Sequence, residues 1–175
     1  MKQIILTLAC TGLLLTSCSS PEPLSTVDAV DLYRYTGVWY EIARLPISQE
    51  EGLNCVTAAY TLEEDGDIKV VNQGYGDDGW EKAEGVAVQP DTSKPGQLRV
   101  SFFRPFYGDY YIIELDDDYQ YALVGAPSRK YLWILSRTEE LDSDIIEELS
   151  ASAKEKGFDT SKFIFTEHDC PDEEE

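Results

Sequence analysis

Gly74-Tyr75-Gly76-Asp77-Asp78-Gly79 has the spacing of a dinucleotide-binding loop. Such a loop must open a helix whose backbone amides meet a pyrophosphate. Here Trp80-Glu81-Lys82 follows without helical periodicity, and two aspartates would repel phosphate, so the stretch reads as a β-hairpin. Asp116-Asp117-Asp118 offers carboxylates to calcium, but no spaced oxygen-ligand loop with a Gly and a terminal Glu surrounds it. A solvated turn is the better reading. His168 is the single histidine, which nearly excludes histidine-based metal centres and Ser-His-Asp triads. Acid–base pairs of Asp and Glu stay open in so acidic a chain, yet no spacing singles one out. The sequence therefore gives no catalytic residue, no metal site and no cofactor.

The remaining reactive chemistry is sulfur. Four cysteines occur: Cys10, Cys18, Cys55 and Cys170. Lys2 and the apolar residues 4–15, too short for a comfortable membrane span, form a signal segment. Leu15-Thr16-Ser17-Cys18 then resembles a lipobox, with cleavage before Cys18 and acylation of the new N-terminal cysteine. An ordinary signal peptide cleaved nearby, or an uncleaved anchor, is the competing reading. Several acyl chains on one residue, at about 0.8 kcal/mol per buried methylene, would hold the protein stably on a membrane. The non-acidic Ser19 after Cys18 favours the outer membrane. Cys55 and Cys170 are left as an even pair in an exported chain, which suggests a disulfide. A reactive thiol on either would require the other to be unpaired.

The chain of 175 residues carries a net charge of −20. Removing residues 1–17 takes away one base, Lys2, and no acid, so the mature charge is −21. That argues against nucleic acid and anionic membrane surfaces as electrostatic partners. The division that follows is a signal peptide at 1–17, a lipidated tether rich in Pro and Ser at 18–30, one domain at 31–170, and a solvated acidic tail at 171–175.

From residue 35 onward, strand signals recur every 8–12 residues, as in an all-β sandwich or barrel. Strands are expected near 38–45, 55–62, 67–74, 79–88, 96–104, 109–115, 120–125 and 130–136. Asp65-Gly66, Asp78-Gly79 and Ser93-Lys94-Pro95-Gly96 mark turns between them. The longer connection at 45–52 is a candidate lid. Asp142-Ser143-Asp144 offers a helix N-cap, Ile145, Ile146, Leu149 and Ala153 mark one helical face, and Gly157 supplies the stop. A last strand is expected at 162–166.

Two stretches tie the ends together: Gly37-Val38-Trp39-Tyr40-Glu41-Ile42-Ala43-Arg44 and Tyr131-Leu132-Trp133-Ile134-Leu135-Ser136-Arg137. If first and last strands meet at one closed end, the Arg137 guanidinium stacks on Trp39, worth roughly 0.5–2 kcal/mol. Parity then turns Glu41, Trp133 and Leu135 inward. It also groups Val56, Ala58 and Tyr60, then Ile68, Val70 and Asn72, then Leu98, Val100 and Phe102, with Arg99 and Ser101 outward. Such residues line an apolar cup with a few polar groups, or they simply fill a core. Parity does not separate the two.

Taken jointly, the motifs resemble the lipocalins. Gly37-x-Trp39-Tyr40-Glu41-Ile42-Ala43-Arg44, Asp118-Tyr119-Gln120-Tyr121-Ala122-Leu123-Val124 and Leu132-Trp133-Ile134-Leu135-Ser136-Arg137 are similar to the three short regions of that family. Val100-Ser101-Phe102-Phe103-Arg104-Pro105-Phe106-Tyr107-Gly108 resembles the bacterial lipocalin lipoproteins. Cys55 and Cys170 are similar in position to a disulfide of their animal relative apolipoprotein D.

The resemblance implies an all-β fold: an eight-stranded antiparallel up-and-down barrel with one C-terminal helix packed outside. It implies a non-enzymatic carrier of fatty acids or lysophospholipids, for lipid storage or transport in envelope maintenance under stress. The implied ligand-binding residues are Tyr60, Asn72, Phe102 and Trp133, while Trp39 and Arg137 close the base. The implied setting is the outer membrane, held through Cys18, with the domain facing the periplasm as a monomer or weak homodimer. A lipocalin-fold enzyme and a structural envelope lipoprotein with a filled barrel are the alternatives.

Overall fold

Alternating apolar and polar residues separated by turn chemistry build eight antiparallel strands, each hairpin-linked to the next. A computed structural model describes residues 22–172, so the signal segment, Cys18, Ser19 and the last three acids lie outside the described residues. The strands are β1 (Gly37–Arg44), β2 (Asn54–Leu62), β3 (Ile68–Gly76), β4 (Gly79–Val88), β5 (Gln97–Phe103), β6 (Phe106–Leu115), β7 (Tyr121–Gly125) and β8 (Leu132–Ser136). They pair in sequence order, and β1 pairs with both β8 and β2, so the sheet closes into a barrel. Registers such as Trp39 opposite Ala58 and Glu41 opposite Leu135 fix the closure. A two-residue β9 (Ile164–Phe165) adds to the end of β1, shorter than the strand expected there.

The helix over residues 143–155, α2 (Ser143–Glu155), follows the expected signals. Its N-cap Asp142 accepts a hydrogen bond from the Asp144 amide at 2.8 Å. Gly157 leaves the helix with φ of +89°, a left-handed conformation that costs a glycine little, and Phe158 donates its amide back to the Ala153 carbonyl at 3.1 Å. Short elements that were not expected are a 3-10 turn (Thr160–Lys162), which delays the last strand, and a short helix, α1 (Leu32–Tyr35), capped by Asp31. It carries Tyr35 into the base of the barrel. One turn of helix is too short to leave a periodic signal.

Two apolar cores result. Inside the barrel sit Trp39, Tyr60, Val70, Leu98, Ile112, Val124 and Leu135. Outside, Ile42, Leu123, Ile134, Leu149, Ala153 and Phe158 join the wall to α2. Strands β7 and β8 are therefore buried on both faces, which is why they read as nearly continuous apolar runs. Residues 22–30 form no helix or strand but lie along the outer wall. Leu24 is 5% exposed there, and the Val27 amide donates to the Ile112 carbonyl at 3.0 Å.

Candidate ligand chamber

Arg137 and Trp39 close one end. The guanidinium carbon lies 3.8 Å from the Trp39 ring centroid. Its N–H groups donate to the carbonyls of Val38 at 2.8 Å, Arg34 at 2.9 Å, Thr36 at 2.9 Å, Tyr35 at 3.2 Å and Tyr119 at 3.2 Å. Trp39 in turn donates its indole N–H to the Tyr35 carbonyl at 2.9 Å. One cation thus fastens α1, β1 and the β6–β7 turn together. Above this plug three buried tyrosines share hydroxyls: Tyr110 with Tyr35 at 2.7 Å, and with Tyr60 at 2.9 Å. Burial pushes all three phenols up, Tyr60 to about 12, so they stay neutral.

The other end opens. A cavity of about 670 Å³ runs up from Tyr60 and Tyr110 to the turns at the far end of the strands. Its wall includes Val56, Ala58, Val70, Val100, Val124 and Leu135. Packed interiors hold few voids larger than a water molecule, so this barrel is not filled. The volume falls within the 300–1,000 Å³ of ordinary small-molecule sites.

The β1–β2 connection bends over the mouth as a 3-10 turn (Ser48–Glu50) and places Ile47, Glu50 and Leu53 against the cavity. Arg44 holds it there. Its Nη2 donates to the Glu50 carbonyl at 2.6 Å, while its Nη1 donates to the Glu41 carboxylate at 2.6 Å. Glu41 and Arg44 share the inner face because the β1–β8 pairing slips by one residue between Glu41 and Ala43. Parity places Glu41 inside, and it is buried as expected. Its partners are Arg44 and the Thr166 hydroxyl.

Glu50 was not singled out by the sequence. It accepts the Trp133 indole N–H at 3.2 Å and lies 3.6 Å from Arg44 Nε. Burial, then the adjacent Glu41 carboxyl, raise its pKa from 4.5 to about 8. A single guanidinium faces two carboxyls, so the pair retains a proton at neutral pH. Nothing in the local sequence marks it, because a loop residue has no parity.

Each residue expected at the site has a definite place. Tyr60 forms the floor, with its hydroxyl held by Tyr110. Asn72 lies on the wall, and its Oδ1 is buried without a hydrogen-bond partner. Trp133 stands under the lid, its ring stacked with Tyr131 at 6.2 Å. Phe102 lines the rim but is 44% exposed, and Ser101, expected outward, is 3% exposed. The cause is a register slip in the β5–β6 pairing between Val100 and Phe103, which breaks the strict alternation. Cys55 and Cys170 form a disulfide, tying the C-terminal segment to β2. The lipidation expected at Cys18 lies outside the described residues.

The family described as the lipocalin-like domain matches residues 30–168. The chain belongs to the lipocalins. Within that family it is 45% identical to the outer membrane lipoprotein Blc of Escherichia coli (strain K12), covering 91% of this chain and 93% of that one. The Blc lipoprotein of Vibrio cholerae is 44% identical over 95% of this chain and 99% of its own. Apolipoprotein D of Rattus norvegicus is 35% identical, over 89% and 85%. Insecticyanin from Manduca sexta superposes with a TM-score of 0.66 over 86% of each chain at 24% identity, a likeness of fold alone.

Proposed function

We propose that this lipocalin binds a single fatty acid or lysophospholipid in its barrel, and holds or ferries it while anchored to the outer membrane through Cys18, its domain facing the periplasm. The observation that carries this is the chamber of about 670 Å³, closed at the base by Arg137 and Trp39 and open under a lid. Its walls suit an acyl chain, each methylene of which gains roughly 0.8 kcal/mol on leaving water. Ordering the ligand offsets part of that gain. Near the mouth, Trp133 and Glu50 give polar contacts to a headgroup, and the free Asn72 Oδ1 accepts a hydrogen bond from a ligand hydroxyl or ammonium. Tyr60 and Phe102 bound the chamber below and at the rim. The relatives named as outer membrane lipoproteins support the anchoring at Cys18 and a signal segment before it.

The structural-scaffold alternative needs a packed barrel, which the cavity disfavours. Thiol chemistry needs a free cysteine, and the two cysteines among the described residues are joined. Titration of the soluble domain with a lysophospholipid and, separately, with a two-chain phospholipid tests the proposal through Trp fluorescence. Saturable one-to-one quenching by the lysolipid alone is expected. No saturable response to either would sink the carrier role.

A further inference from the structure

The strands order the turns of the barrel into two ends, and the open end is chemically lopsided. The β5–β6 turn displays Phe103 at 75% and Phe106 at 71% exposure, their rings parallel and 6.3 Å apart. Phe102 and Tyr131, at 44% and 41%, extend the apolar edge to the neighbouring β7–β8 turn. In a chain with 34 acids against 14 Lys and Arg, residues 102–108 and 126–131 contain Arg104, Arg129 and Lys130 and no acid at all. Arg104 lies 3.6 Å from Asp67, a carboxylate of the β2–β3 turn, in an exposed contact. Most acids of the open end, Glu50, Glu51, Asp77 and Asp78, lie on the β1–β2 and β3–β4 turns instead, and Glu22 is the acid that borders the β7–β8 turn.

The described chain begins at this same edge. Arg129 of the β7–β8 turn donates its Nη2 to the Glu22 carbonyl at 2.7 Å and its Nε to the Lys156 carbonyl at 3.1 Å. From there residues 22–30 run down the outer wall to α1 at the closed end. Cys18 precedes Glu22 by four residues, and four residues span at most about 14 Å. An acyl anchor on Cys18 therefore draws the bilayer to the mouth of the barrel, not to its base.

We infer that the acid-free aromatic edge formed by the β5–β6 and β7–β8 turns docks onto a phospholipid bilayer, so that the chamber opens towards the leaflet that holds the anchor. The inference rests on lipidation at Cys18, as proposed above. Apolar rings such as Phe103 and Phe106 bury themselves beneath the headgroups, while the Tyr131 hydroxyl and the long Lys130 side chain stay at headgroup level. An acyl chain then passes between leaflet and chamber without crossing open water.

The test uses the full chain, processed in bacteria and reconstituted into phosphatidylcholine vesicles. An environment-sensitive fluorophore is placed on Phe103→Cys at the edge, or on Asp118→Cys at the closed end. Phe103 does not line the chamber, so monomeric lysophosphatidylcholine should bind both labelled proteins alike. Docking predicts a blue-shifted label at 103 that is several-fold less accessible to aqueous iodide than the label at 118. Equal accessibility in protein that floats with the vesicles overturns docking while leaving the anchor intact. Shielding at 103 that persists in detergent and grows with protein concentration also overturns it, since a second copy then covers the edge. Protein that fails to float overturns the anchor and the docking together.

Discussion

Arg137 and Trp133 stand at opposite ends of the same stretch of chain, and truncation separates their roles. Arg137→Ala strips five carbonyls of a charged donor and uncovers Trp39. A cost of roughly 2–4 kcal/mol is expected, or a fall of about 5–15 °C in Tm, with saturable lysolipid binding retained in the folded fraction. Trp133→Ala should leave circular dichroism unchanged and weaken binding by about ten-fold, as lost contact area predicts. The reverse pattern in melting and titration would refute the assignment. Glu50 makes a sharper prediction. Its carboxyl titrates near 4.5 when unfolded and near 8 when folded, because it is buried beside Glu41. The folded chain thus holds the extra proton between those values, so its stabilising effect is complete below about pH 4.5 and lost as pH rises towards 8. The Tm advantage of wild type over Glu50→Gln should shrink across that window, and a constant difference would refute it. Fatty acid affinity should also fall above about pH 8, where an ionised Glu50 opposes a second carboxylate. Trp39 and Arg137 were legible in the sequence as a ring and a cation on the first strand and just after the last, and Glu41 followed from strand alternation once those two point to the base. Glu50 and the tyrosine cluster were not, since loop position and a one-turn helix set their places.

At the scale of elements, turn residues and alternation located all eight barrel strands, while local irregularities hid the rest. The slips in β1 and β5 arise where a strand bends around the barrel, and they redirect Arg44 and Phe102 without a trace in residue type. The disulfide belongs to this scale too. It closes a separation of 115 residues, for which chain-entropy reasoning gives at most about 4.8 kcal/mol. Native bonds beside the bridge also hold the tail, the Cys55 amide to the Glu167 carbonyl and the His168 ring to the Glu41 carbonyl, and measured gains commonly fall below the chain-entropy figure. Cys55→Ser/Cys170→Ser should therefore melt lower by roughly 2–4 kcal/mol yet bind lysolipid with little change, because Cys55 and Cys170 lie outside the chamber. Loss of binding in the folded double variant would mean the tail also positions the lid, through Thr166 and Glu41.

The whole molecule carries its charge of −20 with few compensating contacts, among them Lys69 with Glu84 at 3.2 Å and Lys156 with Glu114 at 2.9 Å. Exposed pairs of this kind contribute little, whereas like charges spread over one barrel repel throughout. Salt screens both, with a screening length of about 10 Å at 0.1 M. Because repulsive pairs outnumber attractive ones, raising salt from 20 to 300 mM should stabilise the soluble domain by roughly 1–2 kcal/mol, or about 3–8 °C in Tm. A fall in Tm with salt would show that the ion pairs govern the balance instead. The same field bears on the membrane. An acidic barrel is repelled by an anionic leaflet least where its acids are fewest, at the β5–β6 and β7–β8 turns beside Glu22. If lipid on Cys18 holds the chain at a membrane, as proposed, that charge turns the acidic wall away from the leaflet and leaves the aromatic rim as the face of closest approach. Adding phosphatidylglycerol to the vesicles at low salt should then leave position 103 shielded from a neutral quencher such as acrylamide and position 118 open, and shielding at 118 would refute the orientation.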